Sequence, residues 1–153
     1  MKLRLLTIGL VCVLAAGCGG SSRLSASQYR ARLAAIGHEA NEAQRKVGQG
    51  LQAASVAGLS ARLRAFAAAD DRLGTEIEAL KPPKDAEAAN AALAKAEHDT
   101  AQAVRSALPQ ISSQKTVTKA LALLTANTAG RQAGMELDAA LKRLKALGYA
   151  AQS

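Results

Sequence analysis

Apolar residues recur every three or four positions in four successive segments, which is the spacing of one face of an α-helix. The predicted helices cover about residues 28–54, 59–81, 83–108 and 113–148. Each of the first three carries a single apolar seam. The seams are Tyr29, Leu33, Ile36, Ala40, Ala43, Val47, Leu51 and Ala54; Leu59, Leu63, Phe66, Asp70, Leu73, Ile77 and Leu80; and Ala89, Leu93, Ala96, Thr100, Val104, Ala107 and Ile111.

Local chemistry predicts where the first helix begins and leaves its end open. Ser25 or Ser27 is a suitable N-cap, because a hydroxyl oxygen can accept a hydrogen bond from a free backbone N–H of the first turn. Gly48 and Gly50 could break the helix early. Because a helix interior tolerates a glycine at a cost of roughly 1 kcal/mol, the helix could also continue to a turn near Gly58.

Pro82 and Pro83 form the sharpest predicted boundary, since two successive proline rings prevent continued helical hydrogen bonding. Asp85 and Glu87 then place negative charge near the positive end of the next helix. We therefore expect Pro83 to open the third helix, which reverses direction against the second. Pro109 ends or kinks its last turn.

The fourth predicted helix differs in carrying two apolar stripes, which indicates neighbours on both sides. Gly130 and Gly134 remove side chains from the second stripe, so another helix could approach closely there. The alternative is a hinge or ligand groove, because two glycines weaken a helix. The stripes are Val117, Leu121, Leu124, Thr128 and Met135, and Leu123, Asn127, Gly130, Gly134, Leu137, Leu141 and Leu144.

Composition supports an all-α fold. Residues 18–153 contain 35 alanines and few of the β-branched and aromatic residues that strands favour. Four helices with short connections predict an antiparallel, up-down-up-down four-helix bundle over residues 27–149. Two long helical hairpins that pair between subunits are the alternative arrangement.

The N-terminus carries a different pattern. Lys2 and Arg4 precede twelve uncharged residues, from Leu5 to Ala16. This stretch is too short for a membrane span, which needs about 20 residues, but it suits the apolar part of a secretory signal. Residues 1–17 are therefore predicted to be a signal peptide.

The sequence Leu14-Ala15-Ala16-Gly17-Cys18, followed by two glycines and two serines, resembles the lipobox of a bacterial lipoprotein. The resemblance implies that Cys18 carries a diacylglycerol, that residues 18–26 form a flexible tether, and that the protein is anchored on the extracytoplasmic side of a membrane. Leu14 lies four residues before the cysteine, whereas the commonest lipobox has its leucine three before. An ordinary secretory peptide cleaved near Ala16 is the alternative.

Charge adds little to this picture. The formal net charge is +8, and removing Lys2 and Arg4 with the signal peptide leaves +6, spread along the chain. Nucleic-acid binding requires a focused basic patch, so we expect no nucleic-acid partner. A diffuse positive surface would instead supplement the lipid anchor near anionic lipid or wall polymer.

The chemistry-bearing residues suggest no enzyme, cofactor or metal site. His38 and His98 lie beside acidic residues, but neither has the Glu-x-x-His spacing of a bundle metal centre, and both are interpreted as solvated. Asp70 falls on the second seam. We expect helical phase drift to turn Ala69 inward and leave Asp70 at the margin; an inward Asp70 would need an arginine or lysine partner and would be a candidate ligand contact.

These observations predict a membrane-tethered helical module that binds another envelope component, most simply a protein. The alternative is a bundle that binds a small or hydrophobic ligand between its helices, with Gly130, Gly134 or Asp70 as candidate contacts or hinge residues.

Overall fold

The computed structural model describes residues 22–50 and 55–149, and all the regular structure within them is helical. The all-α prediction is confirmed. The predicted signal peptide, Leu14 to Gly17 and Cys18 lie outside the described residues, as do the last four residues of the predicted first helix.

The described residues form five α-helices. They are α1 (Ala26–Gly50), α2 (Val56–Glu78), α3 (Glu87–Ser112), α4 (Val117–Ala126) and α5 (Thr128–Ala146), with a short 3-10 turn at Lys84–Ala86. Helix α2 begins three residues earlier than predicted because the Ser55 hydroxyl accepts a hydrogen bond from the Gly58 N–H at 3.1 Å. Helix α3 continues through Pro109 to Ser112, beyond the predicted end at residue 108.

The prediction of one continuous helix over residues 113–148 is wrong, because α4 and α5 are separate helices that meet at Asn127. The backbone of Asn127 is extended, with φ −63° and ψ 100°. Its side-chain oxygen accepts from the Gly130 N–H at 3.2 Å, and its amide donates to the Ala103 carbonyl of α3 at 3.1 Å. Asparagine competes with the helical backbone in this way when it can cap the next helix instead.

Helix α3 occupies the middle of the structure, where it packs against α2, α4 and α5, while α1 packs against α2. Contacts between α2 and α3 run in opposite directions along the two helices. The Asn90 amide near the start of α3 donates to the Ile77 carbonyl near the end of α2. Arg105, late in α3, reaches the Ala67 carbonyl in the middle of α2.

Two separate groups of buried apolar side chains form the core. The first lies toward the Pro82-Pro83 turn and the second toward the start of α2. The first contains Tyr29, Ile77, Ala86, Ala89, Leu93, Ala94, Ala140, Leu144 and Tyr149; the second contains Leu59, Leu63, Ala67, Ala101, Val104, Ile111 and Ala120.

The first described residues are fixed to the proline turn. The Leu24 N–H donates to the Lys81 carbonyl at 2.8 Å, and the Arg23 guanidinium donates to the Pro82 carbonyl. Beside this contact the Tyr29 and Tyr149 rings meet edge to face, with centroids 5.2 Å apart. The beginning of α1, the proline turn and the chain after α5 therefore meet at one end of the molecule.

Tyr29→Phe should lower the free energy of unfolding by about 1–2 kcal/mol, because the fully buried Tyr29 hydroxyl donates to the side-chain oxygen of Asn90 at 2.9 Å and the change leaves that buried oxygen without a donor. Urea unfolding measures the loss. Tyr149→Phe is the matched control: its hydroxyl donates to the exposed Asp85 carboxylate, which water can solvate instead. Equal losses of unfolding free energy in the two variants would contradict a special contribution of the buried hydrogen bond between Tyr29 and Asn90.

Candidate functional site

Asp70 lies inside the protein. Only 4% of its surface is exposed, and Ala67 and Leu73, its neighbours on the same face of α2, are fully buried. The expectation that Asp70 would lie at the margin is therefore wrong. Helix α2 keeps its three-and-four spacing in register through residues 67, 70, 73 and 77, so no phase drift turns Ala69 inward in its place.

The charged neighbour of Asp70 is a second acid, Glu97 of α3, which is 9% exposed. The arginine or lysine that an inward Asp70 was expected to require is not its partner. The Oδ2 atom of Asp70 is buried without a hydrogen-bond partner among the residues that the structure describes. Asp70 and Glu97 are called the carboxyl pair below, and they lie along α2 and α3 between the two apolar groups of the core.

The environment of the carboxyl pair favours protonated acids. Burial, reinforced by the nearby Glu97, raises the pKa of Asp70 from 3.8 to about 7. Burial also raises the pKa of Glu97 from 4.5 to about 6, although the neighbouring His98 acts in the opposite direction. The charged form of an acid is disfavoured where water is excluded and another carboxylate is near. The pair can therefore hold a proton close to neutral pH.

The next residue, Asp71, has the opposite environment. It lies on the half-exposed rim of the α2–α3 interface, where its Oδ2 accepts from Arg105 at 2.9 Å and its Oδ1 lies 2.8 Å from Nδ1 of His98. The hydrogen bond from Arg105, followed by that with His98, lowers the pKa of Asp71. This rim network links α2 to α3 with a carboxylate that is ionised at neutral pH.

Gly74 allows the rim network to form. The His98 ring lies directly over it, and a Cβ atom at this position would be 2.8 Å from Nε2 of His98. A side chain on Gly74 would therefore displace the ring from Asp71. This is the close approach over a glycine that sequence reasoning assigned instead to Gly130 and Gly134.

The glycines of α5 have a different role from the expected one. A Cβ atom at Gly134 would meet open space, and one at Gly130 would meet only the side chain of Asn127. No described helix approaches α5 closely at these glycines, so the expected close packing there is wrong. The other stripe is divided: Val117, Leu121 and Leu124 pack against the second apolar group of the core, whereas Met135 is 60% exposed. Gly130 does lie beside the helix break, where its N–H bonds to Asn127.

The histidines differ from one another. His38 is exposed, with Nε2 3.8 Å from a carboxylate oxygen of Glu42, as expected for a solvated residue. The same expectation is wrong for His98, which is partly buried in the rim network. Within residues 22–50 and 55–149, no group of three His, Cys, Asp or Glu side chains is arranged to hold a metal ion.

Sequence reasoning missed Glu97, the pairing of Asp71 with His98 and Arg105, and the contact of Gly74 with His98. Glu97 lies three residues after Ala94 and four before Ala101, both of which are buried, so a seam drawn one position later would have included it. The interhelical pairs leave no such periodic signal.

No protein-family model, curated protein or solved structure matches this chain. None of the helices in the described part of the chain is both long enough and apolar enough to cross a membrane.

The carboxyl pair makes stability depend on pH. Because the pKa values of Asp70 and Glu97 are raised in the folded state, the folded protein binds more protons than the unfolded chain between about pH 4 and pH 7, and the free energy of unfolding falls as the pH rises through this range. The lowered pKa of Asp71 acts only at more acidic pH. The melting temperature should therefore be higher at pH 5 than at pH 8.

Asp70→Asn should remove most of this pH dependence and raise the melting temperature at pH 8 by roughly 5 °C, because an amide needs no proton to remain neutral. Thermal unfolding followed by circular dichroism at both pH values measures the effect. Asp138→Asn, on the exposed surface of α5, is the matched control and should leave the difference in melting temperature between pH 5 and pH 8 unchanged. If Asp70→Asn kept the wild-type difference in melting temperature between the two pH values, Asp70 would not be the source of the pH dependence.

Gly74→Ala should destabilise the protein by about 1 kcal/mol or more, although alanine is the better helix former. The added methyl group must displace His98 and break its hydrogen bond with Asp71. Gly134→Ala has open space around the new methyl group and should stabilise the protein by up to about 1 kcal/mol. Urea unfolding of the two variants gives the comparison, and a gain in stability for Gly74→Ala would contradict the close contact.

Proposed function

We propose that the chain is a membrane-tethered lipoprotein of the bacterial cell envelope, with a helical domain that binds another envelope protein. The observation that carries the proposal is the order Leu14-Ala15-Ala16-Gly17-Cys18 after a basic and apolar leader. The diacylglycerol on Cys18 supplies two acyl chains, which suffice for stable membrane anchoring.

The attachment of the first described residues supports a short connection to the membrane. The backbone is fixed to the helical domain from Leu24 onward by its bond to Lys81. Cys18 precedes Leu24 by six residues, which span at most about 20 Å when fully extended. The domain is thus held within about 20 Å of its lipid.

The proposed arrangement is an antiparallel up-down-up-down bundle in which α4 and α5 together occupy the place of the fourth helix. The opposed contacts of α2 and α3, and the packing of α3 against both α4 and α5, support it. Among the side chains that the structure describes, three large apolar ones are more than 40% exposed, all of them on or just after α5: Met135, Leu141 and Leu147.

Binding of a small apolar ligand is the second candidate function. A groove of about 460 Å³ lies between α1, the end of α2 and the first described residues, and Leu24, Ile36 and Leu80 contribute its apolar surface. A second groove of about 340 Å³ lies between α3 and the α4–α5 break, beside Leu123 and Asn127. Both grooves are open to solvent, whereas small-molecule sites bury most of the ligand surface. The protein-binding function is therefore the better supported.

Cys18→Ala should move the protein from the carbonate-washed membrane fraction to the soluble fraction, or leave it with an uncleaved leader, because the sulfur that would carry the lipid is lost. Fractionation and mass spectrometry of the N-terminus measure both outcomes. Cys12→Ala, inside the apolar leader, is the matched control and should leave lipidation at residue 18 unchanged. A wild-type N-terminus without an acyl group would refute the proposal.

A further inference from the structure

Basic residues are concentrated where the first described residues, the proline turn and the end of α5 meet. This region, called the tether end, comprises residues 22–32, 81–87 and 142–149, and contains eight Lys and Arg residues against two Asp and Glu residues. The contacts of Leu24 with Lys81 and of Tyr149 with Tyr29 and Asp85 hold the three segments together. The sequence, in which these segments lie far apart, shows only scattered charge.

The basic side chains of the tether end are exposed to solvent. Seven of the eight make no ion pair with any of the residues that the structure describes: Arg30, Arg32, Lys81, Lys84, Lys142, Arg143 and Lys145. The two acids are already engaged, since Glu87 pairs with Arg23 and Asp85 accepts from the Tyr149 hydroxyl. The free positive charge of this end is thus available to an external partner.

We infer that the tether end is a membrane-facing surface whose lysines bind the headgroups of anionic phospholipids. The inference rests on the proposed function, because the anchor at Cys18 brings this end, and not the opposite one, to within a few residues of the bilayer. Lysine and arginine side chains are attracted to an anionic membrane within about a Debye length of its surface. The lipid anchor thereby gains an electrostatic contact that orients the domain.

The opposite end of the domain provides the control. Arg62 and Arg64 of α2 and Lys115 and Lys119 before and within α4 are exposed, and none of the four makes an ion pair within the described part of the chain. Nearby Leu63 and Ala120 belong to the second apolar group of the core, away from the proline turn. Four unpaired basic residues can therefore be removed at either end, at different distances from Cys18.

The test measures how fast a water-soluble acetylating reagent modifies individual lysines in the full-length, membrane-expressed protein reconstituted with vesicles. Vesicles of pure phosphatidylcholine are compared with vesicles that contain about 30% phosphatidylglycerol, and mass spectrometry reads each lysine. The anionic lipid should slow modification of Lys81, Lys84, Lys142 and Lys145 at least five-fold and leave Lys115 and Lys119 unchanged. About 0.5 M salt should abolish the protection, because it screens the attraction.

Two variants make the charge requirement explicit. K81Q/K84Q/K142Q/K145Q should reduce the preference of the Cys18→Ala chain for anionic over phosphatidylcholine vesicles at least five-fold, whereas R62Q/R64Q/K115Q/K119Q, which removes the same charge, should change this preference less than two-fold. Equal effects of the two variants, or protection of Lys115 and Lys119 in place of the tether-end lysines, would overturn the inference. Retention of the wild type on phosphatidylcholine vesicles reports the anchor separately, so failure of the proposed function is distinguished from failure of this inference.

Discussion

The packing of α2 against α3 is the interaction on which the rest of the structure depends. The two helices follow one another through the proline turn, and α3 then provides the surface for α4 and α5, while α2 provides that for α1. Alanine side chains bury little apolar area, so an alanine-rich interface gains stability from close backbone approach and high helix propensity more than from large side chains. The polar groups at this interface matter more for that reason, because the small gain in free energy from apolar burial can offset little of the cost of burying a polar group.

The carboxyl pair is such an unfavourable contribution. Asp70 and Glu97 are buried between two apolar groups, and Oδ2 of Asp70 has no partner among the described residues, so ionisation of Asp70 is disfavoured and the buried acid weakens the fold as the pH approaches neutrality. The adjacent rim network compensates in part. Asp71 receives bonds from His98 and Arg105, both on α3, and so fixes the register of the two helices at the level where the apolar packing is interrupted.

The sequence predicts the parts of this fold that depend on local chemistry. Helical composition, the three apolar seams and the proline boundary all emerge from residue type and spacing. The break at Asn127 was missed because a single asparagine only weakly disfavours a continuous helix. The break also depends on the hydrogen bond from its side-chain amide to the Ala103 carbonyl of α3, which the sequence does not reveal. Asp70 was wrongly predicted to lie at the margin of the core, because an acidic residue on an apolar seam suggests that the helix has rotated and exposed it. The pairing of Asp71 with His98 joins residues 27 positions apart and leaves no periodic signal.

Charge distribution connects the fold to the proposed anchor. Several ion pairs join neighbouring helices along their length, such as Glu39 of α1 with Arg72 of α2 and Asp71 of α2 with Arg105 of α3. The basic residues of the two ends, by contrast, include several without an internal partner among the described residues. The opposite charges of an interhelical ion pair largely cancel each other's electric field outside the protein. Unpaired charges at one end can instead attract an oppositely charged molecule or surface. Because the proline turn brings α1, the start of α3 and the end of α5 together, the same contacts that close the first apolar group also assemble the basic surface that lies beside the proposed anchor.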